Sequence, residues 1–319
     1  MRVGIPRALS YYRYFLPWRT FFEALGAEVV VSPPTTRATL EAGLGYTVPE
    51  ACLPLKIFCG QVRALVGQCD ALFVPSIQRF APESTNCAKL IGLPDMLQAT
   101  MDDLPPLIAP DVDLSEGTRA LWALAVQVGA TFTFNPLLIR EAALAAWDTY
   151  RQMRTDFRTG RITPADFASS RPIGLPAAQP SNSLTVAVVG HPYNLYDPFV
   201  NHNLLTRLAR LGAEVLTPER LGPRPGVDYW TFEYELVGAA RLAVEQAGVN
   251  GLIAVVAFGC GPDGVMLERV RESAAGAQIP TMILTLDEHS GEAGLVTRLE
   301  AFVDMLLWRK RRAGSVSGN

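Results

Sequence analysis

The sequence lacks the features that would tie it to a membrane or to nucleic acid. Its 319 residues carry 28 lysines and arginines against 31 aspartates and glutamates, so no excess of positive charge points to a polyanionic partner. No apolar run approaches the roughly 18 residues of a spanning helix, and the opening MRVGIPRAL has no signal-peptide core. We expect a cytoplasmic protein that contacts neither nucleic acid nor membrane. Its length and its 49% of hydrophobic residues suit two globular domains.

Cysteine and lysine are both scarce. The cysteines are Cys52, Cys59, Cys69, Cys87 and Cys260. An odd number of widely spaced cysteines without a C-x-x-C pair does not predict a disulfide framework in this compartment, so buried thiols or metal ligands are the expected roles. Lysine occurs only as Lys56, Lys89 and Lys310, and the first two follow Cys52 and Cys87 by four and two residues.

The chain repeats itself at an offset of 186 residues. Gly4 aligns with Gly190, and the pentapeptide LGAEV occurs at residues 25–29 and again at 211–215. Each copy predicts a short strand, a turn, an amphipathic helix that stops at glycine, and a second strand, which is the start of a βαβ unit. The sequence therefore predicts an α/β protein of two similar Rossmann-like domains with parallel sheets, joined by a helical segment.

The boundaries of these parts follow from the pattern along the chain. The predicted strands cover residues 2–5, 71–75, 185–189, 251–258 and 281–286, and helices are predicted near 54–66 and 234–247. We place the N-terminal domain at 1–113, the helical connector and linker at 114–180, and the C-terminal domain at 181–319. The stretch SSRPIGLPAAQPSNS, rich in proline and serine, is the expected linker.

Three cysteines fall where chemistry is expected in such a fold. Duplicated α/β domains bind ligands at the carboxyl ends of their strands, and facing domains form a cleft there. Cys52 precedes Pro54 and a predicted helix, Cys87 lies in a polar loop beyond a strand, and Cys260 follows another strand. Helix N-termini favour thiolates, which bind iron or zinc. Alternatively, each of these cysteines is a small buried side chain.

Residues beside these cysteines are candidates for holding a cofactor. Lys56 and Lys89 place positive charge near two thiols, and Gly259 and Gly261 free the backbone around the third. Cys59 is either a core residue or a fourth ligand on the same helix face as Cys52.

Two further motifs offer acid–base groups. GHPYNLYDP at residues 190–198 contains His191, and DEHSGEAG at residues 287–294 contains His289 and Glu292, which we take as candidate catalytic residues. The alternative is structural: His191 bonds a turn, and the acidic residues suit a helix N-terminus.

Six motifs carry a family resemblance: GIPRALSYY, EACLPLK, GLPD, GHPYNLYDP, FGCGPD and DEHSGEAGLVTRLEAF. Together they resemble the acyl-CoA dehydratase activase-related family in its stand-alone form, over most of the chain outside the middle segment and the tail. The chain is also distantly similar to 2-hydroxyacyl-CoA dehydratase subunits and double-cubane cluster proteins, whose Rossmann-like domains hold an iron–sulfur cluster through three cysteines. Unlike the activator, it shows no glycine-rich phosphate loop of the actin-like ATPase kind.

The resemblance implies a function. Cys52, Cys87 and Cys260 would be the ligands of an iron–sulfur cluster, expected to be [4Fe-4S], in low-potential redox or reductive dehydration chemistry. The chain would be a dehydratase-like lyase or reductase, or the electron-transfer partner of one. Expected partners are an ATP-dependent activator or other electron-transfer protein, an acyl-CoA-like small molecule and a second copy of the chain. The competing hypothesis is a non-redox, two-domain protein that binds a small ligand and has structural or zinc-binding cysteines.

Overall fold

The computed structural model describes residues 1–168, 184–222, 229–246 and 248–316. The strands are β1 (Arg2–Ile5), β2 (Glu28–Val31), β3 (Ala71–Phe73), β4 (Ser76–Arg79), β5 (Leu107–Ile108), β6 (Asp111–Asp113), β7 (Leu184–Gly190), β8 (Ala213–Leu216), β9 (Gly251–Ala257) and β10 (Thr281–Leu286). The helices are α1 (Tyr11–Ala24), α2 (Arg37–Leu44), α3 (Leu53–Arg63), α4 (Ala88–Ile91), α5 (Leu93–Thr100), α6 (Thr118–Gly129), α7 (Pro136–Thr159), α8 (Ala165–Ala168), α9 (Pro192–Leu195), α10 (Leu204–Arg210), α11 (Pro218–Leu221), α12 (Val237–Glu245), α13 (Gly261–Gly276) and α14 (Glu292–Val316), with a 3-10 turn at Glu233–Glu235.

The first sheet has four parallel strands in the order β2-β1-β3-β5. Val3 of β1 is level with Val29 on one side and with Ala71 on the other. Every residue of β1 after Arg2 is buried, and so is all of β3. Burial of successive residues means that both faces of the sheet are covered, as expected of parallel strands connected by helices.

The second sheet repeats this arrangement with the order β10-β9-β7-β8, again entirely parallel. Val188 of β7 is level with Ile253 of β9, and all seven residues of β9 are buried. In each sheet the first strand along the chain lies between the second and the third. The predicted α/β fold with Rossmann-like parallel sheets is confirmed.

The structure differs from the sequence prediction in detail near residue 75. Strand β3 ends at Phe73, and β4 pairs in parallel with β6 in a separate two-stranded sheet. Pro75 has no N–H to donate to a ladder, which is why the strand is interrupted there. The helix predicted over 234–247 occupies Val237–Glu245, and Ala247 lies outside the described residues.

The two halves share one core. Buried side chains of both sheets, including those of Val3, Leu72, Val188 and Ile253, belong to one continuous hydrophobic cluster. The connector is helical as its periodicity indicates, and α7 packs along α1 of the first half. The linker predicted at 169–183, and with it the boundary at 180, lies outside the described residues. The domain boundaries stay predictions.

No helix in the described part of the chain is both long enough and apolar enough to cross a bilayer.

Candidate functional site

Cys52, Cys87 and Cys260 occupy equivalent local positions. Each is the residue immediately before a helix, and each has the extended backbone typical of an N-cap: φ/ψ is −66°/148° at Cys52, −61°/135° at Cys87 and −85°/107° at Cys260. Proline in the first turn of α3 and of α13 fixes where those helices begin. Each thiol therefore lies beside the free N–H groups that open a helix.

The three cysteines come together at one cavity between the halves of the molecule. The cavity volume is about 50 Å³. Its wall is mostly apolar, and its lining residues are Leu9, Cys52, Pro54, Leu55, Asn86, Cys87, Lys89, Leu90, His191, Tyr193, Trp230, Phe232, Cys260, Pro262 and Met266. Two of the ligand candidates come from the first half and one from the second. We refer to this space as the cysteine cavity.

Gly259 brings Cys260 against Cys52. Its φ is +76°, a backbone conformation that residues other than glycine rarely adopt. A Cβ at this position would lie 3.0 Å from the Glu50 carbonyl oxygen and 3.5 Å from both N and Cα of Cys52. Glycine is thus required by backbone conformation and by the close approach of the two chain segments. At Gly261, by contrast, an added Cβ meets nothing within 4 Å.

Lys89 links the segment that carries Cys87 to Gly259, next to Cys260. Its Nζ donates a hydrogen bond of 3.3 Å to the carbonyl oxygen of Gly259. Asn86 orients the start of α4, since its Oδ1 accepts from the N–H of Cys87 at 2.9 Å while its Nδ2 donates to the Ile77 carbonyl at 3.0 Å. The loop that carries Cys87 is therefore fixed on both sides.

Backbone pairing ties this loop to the second half of the chain. Thr85 forms an isolated parallel bridge with Trp230. The N–H of Thr85 donates to the carbonyl of Tyr229 at 2.9 Å, and the N–H of Thr231 donates to the carbonyl of Thr85 at 2.8 Å. These bonds hold the segment that carries Trp230, in the aromatic wall of the cysteine cavity, against the Cys87 loop.

Burial has the largest effect on the pKa of two of the cavity thiols. It raises the pKa of Cys52, an effect that the Leu55 N–H and Lys89 only partly offset. It also raises the pKa of Cys260, and Asp263 and the neighbouring Cys52 and Cys87 raise that pKa further. At Cys52 and Cys260 the helix N-termini expected to favour thiolates do not outweigh desolvation, and at Cys52 the charge of Lys89 does not outweigh it either. A bound cation would have to supply the charge that stabilises the thiolates.

Lys56 is not among the residues that line this cavity. Its ammonium group is buried, donates to the Pro49 carbonyl at 2.8 Å and forms an ion pair of 2.5 Å with Glu288. The pair joins α3 of the first half to the loop after β10 in the second half. The side chain of Lys56 thus forms a cross-link between the halves.

His191 lines the cysteine cavity and is held by two carboxylates. Its Nε2 lies 2.9 Å from Oδ1 of Asp263, and its Nδ1 contacts Glu235, whose other oxygen pairs with Arg13. Burial on its own lowers the pKa of His191, but Asp263 and Glu235 outweigh it and raise the pKa to about 10. At neutral pH His191 is a cation with both ring nitrogens protonated.

Sequence analysis missed these partners of His191. Asp263 lies within the motif FGCGPD, where its position three residues after Cys260 was the available signal. Glu235 and Arg13 gave no signal, because each becomes recognisable only through contacts between distant parts of the chain.

His289 and Glu292 lie outside the cavity lining. The backbone N–H of His289 donates to Oδ1 of Asp287 at 2.8 Å, and Glu292 forms an exposed ion pair with Arg207. Glu292 is the first residue of α14, where an acidic side chain suits the helix N-terminus, and His289 lies in the turn before that helix.

Cys59 and Cys69 also lie away from the cavity. Cys59 is completely buried within α3, and burial raises its pKa to about 12. The Sγ of Cys69 donates to the Leu65 carbonyl at 3.4 Å. Both behave as small core side chains.

Among the described residues, no group of three or more histidine, cysteine, aspartate or glutamate side chains is compact enough to hold a metal ion. The three N-cap cysteines share the wall of a cavity rather than a single coordination point.

Comparisons with known proteins give one family match. The sequence model of the CoA enzyme activase uncharacterised domain (DUF2229) matches residues 2–221. No curated protein matches the chain. The crystal structure of ZnuA aligns over 96% of this chain and 98% of that one, with 13% identity and a TM-score of 0.26. The family match confirms the resemblance to acyl-CoA dehydratase activase-related proteins.

Proposed function

Because the chain belongs to the CoA enzyme activase uncharacterised domain family, we propose that it is an iron–sulfur protein that binds a [4Fe-4S] cluster through Cys52, Cys87 and Cys260. Its role is low-potential redox or reductive dehydration chemistry related to that of 2-hydroxyacyl-CoA dehydratases. One observation carries the proposal: three cysteines, each preceding a helix, line one cavity where the halves of the molecule meet.

The residues of the cavity fit such a cluster. A cluster is wider than a single ion, so its thiolate ligands stand around a cavity rather than at one point, which is compatible with the spread of these three cysteines. The apolar side chains of Leu9, Trp230, Phe232 and Met266 would limit the contact of a cluster with water and shape its reduction potential. Thiols whose pKa is raised by burial would also gain most from the positive charge of bound iron.

Three thiolates in a cubane leave one iron free for Lewis-acid or one-electron chemistry. Side chains of the protein fix the segments around the cavity. Asn86 orients the Cys87 loop, and Lys89 adds positive charge near the thiols and donates a hydrogen bond to the Gly259 carbonyl. His191 holds a proton on each ring nitrogen in the wall of the same cavity. We assign His191 to charge balance at the cavity, since both nitrogens are already engaged.

The partners follow from the same role. We propose that the chain exchanges electrons with a CoA-dependent dehydratase system, and that an ATP-dependent activator or another electron-transfer protein supplies the reducing electron. An acyl-CoA-like molecule is the substrate of that system, bound either by this chain or by its partner. Dehydratase activity that depends on the reduced protein would support the role, whereas unchanged activity in its absence would contradict it.

Metal content after anaerobic purification tests the cluster. We expect a brown protein with broad absorption near ~400 nm and iron matched by acid-labile sulfide. Replacement of any one of Cys52, Cys87 and Cys260 by alanine should remove most of the iron, because no fourth cysteine lines the cavity as a substitute ligand.

Cys69→Ala is the matched control. It also removes a thiol, from the half of the molecule that carries Cys52 and Cys87, but this thiol lies outside the cavity. The iron and sulfide contents should therefore stay unchanged. A colourless wild-type protein with one zinc ion, or with no metal, would contradict the proposal and favour the non-redox alternative. Equal iron loss in Cys69→Ala would contradict the ligand assignment.

A further inference from the structure

A second and larger cavity lies between α1, α7 and the second half of the molecule. Its cavity volume is about 230 Å³, compared with about 50 Å³ for the cysteine cavity. Its lining residues are Tyr12, Arg13, Tyr150, Met153, Arg154, Phe157, Arg158, Pro164, Pro192, Pro218, Glu219, Gly222 and Tyr234. We call it the arginine cavity. None of the cysteines contributes to it.

Its charge is predominantly positive. Arg154 and Arg158 are four residues apart on α7, so they lie on one face of the helix, and both are exposed. Arg13 supplies a third guanidinium group, although its charge is matched by Glu235. The single acidic residue of the lining, Glu219, has a pKa raised by burial and accepts a hydrogen bond from Tyr196.

The two exposed arginines differ from neighbouring arginines in their ion pairing. Arg151 pairs with Asp148 at 2.5 Å, and Arg161, just after the helix, pairs with Asp156 at 2.8 Å. Within the described part of the chain, neither Arg154 nor Arg158 has an ion pair with a carboxylate. Arg154 instead lies over the Tyr150 ring at 5.7 Å. Their guanidinium groups retain donors for an anion.

The rest of the wall offers flat apolar surfaces. Tyr12, Tyr150, Phe157 and Tyr234 all line the cavity. The Tyr234 ring is held in place by Arg13, which donates to its hydroxyl and lies 5.0 Å from its ring centroid. Fixed aromatic rings stack readily on a planar heterocycle. The wall therefore combines donors for phosphate with surfaces for a base.

We propose that the arginine cavity binds a nucleotide, with its phosphate groups on Arg154 and Arg158 and its base among the tyrosine rings. A guanidinium fork matches phosphate oxygens with paired hydrogen bonds, and two such groups on adjacent turns suit a diphosphate. Inorganic phosphate would use only the arginines, and an uncharged base would use only the rings. The same chemistry is offered by a free nucleotide and by the nucleotide end of coenzyme A.

The arginine cavity is separate from the cysteine cavity but shares a wall with it. Arg13 faces the arginine cavity and pairs with Glu235, which contacts His191 in the wall of the other cavity. Nucleotide binding needs no cluster, so its test stands even if the protein binds no iron.

Calorimetric titration at a fixed ionic strength of about 0.15 M tests the proposal, with ADP, coenzyme A and inorganic phosphate as the probes. We expect ADP and coenzyme A to bind more tightly than phosphate. The double variant Arg154→Gln/Arg158→Gln should weaken nucleotide binding at least about tenfold, because two charged hydrogen-bond donors are lost. Binding of coenzyme A without ADP would assign the site to the cofactor's nucleotide end, and binding of ADP alone would assign it to a free nucleotide.

Arg151→Gln is the matched control, since it removes the same charge from the same helix outside the cavity. It should leave affinity unchanged. The proposal is overturned if no nucleotide binds, if phosphate alone binds as tightly, or if Arg151→Gln weakens binding as much as the double variant. Far-ultraviolet circular dichroism of each variant establishes that the fold is retained.

Discussion

The ion pair between Lys56 and Glu288 gives a prediction in which the two partners are not equivalent. The side chain of Lys56 is 2% exposed, whereas that of Glu288 is 19% exposed. In Glu288→Gln the ammonium group stays in the interior with the Pro49 carbonyl as its remaining acceptor. In Lys56→Met the carboxylate that remains is within reach of water. Removal of the more exposed partner should therefore cost more.

The magnitudes follow from the cost of an uncompensated buried charge. Breaking a buried pair costs about 3–5 kcal/mol, and we expect about 3 kcal/mol of lost unfolding free energy for Glu288→Gln. Lys56→Met should cost about 1 kcal/mol, because methionine fills a similar volume and Glu288 rehydrates. The double variant should resemble Lys56→Met, which gives a coupling free energy of about 3 kcal/mol in magnitude.

The pH dependence of the same pair has a definite sign. Partial burial raises the pKa of Glu288, but the hydrogen bond and charge of Lys56, together with the residue's own backbone N–H, outweigh burial and lower it. Its contribution to stability is present above the unfolded-state pKa of about 4.3 and is lost as the pH falls through the lower folded-state value. The wild-type protein should lose this increment in acid, and Glu288→Gln should not.

Urea unfolding of the four proteins at pH 7, and of the wild type and Glu288→Gln down to pH 3, measures both effects. The reasoning is refuted if Lys56→Met costs as much as Glu288→Gln, or if the double variant sums the two single losses. Equal single losses would mean that the difference in burial between the two partners has no effect, and additive losses would mean that the pair contributes no more than two independent side chains.

Three further changes test other parts of the structure. His191→Gln should cost about 3 kcal/mol at pH 7 because two buried carboxylates lose their shared cation. In the wild type that increment is fully present below the unfolded pKa of about 6.5 and is lost as the pH rises through about 10, so urea unfolding between pH 7 and 10.5 should show a smaller loss in the variant. Gly259→Ala should cost about 1–2 kcal/mol in the same assay and reduce iron retention, since its φ is +76° and the new Cβ would crowd the Glu50 carbonyl. Asn135→Ala should cost about 1 kcal/mol, because its Oδ1 caps α7 by accepting from the Leu137 N–H at 3.0 Å.

Each of these changes has a control within the chain. His289→Gln should leave stability nearly unchanged at both pH values, because that side chain is exposed. Gly261→Ala should retain iron, since an added Cβ there meets no neighbour. Asn135→Asp keeps a capping oxygen and should restore most of the lost free energy. Equal effects in a control and its test variant would contradict the assigned contact.

Much of the fold was predictable because its determinants are local. The repeat at 186 residues identified β1 and β7 as equivalent strands, and the position of Pro54 marked a helix start just after Cys52. Parallel pairing followed from runs of apolar, β-branched residues, which need cover on both faces. The division of β3 and β4 at Pro75 was missed, because the partner of β4 is the distant strand β6.

The sequence by itself determined the fold class, the family and the three candidate cysteines outside strands and helices, since these depend on periodicity, turn residues and motifs within short windows. Only the tertiary structure decided that the three cysteines share one cavity, that Lys56 pairs with Glu288 across 232 positions, and that a second, arginine-lined cavity exists. The physical reason is that burial and charge pairing depend on which distant segments meet. No local sequence pattern encodes these contacts, because the free energy that selects them depends on the packing of the whole chain.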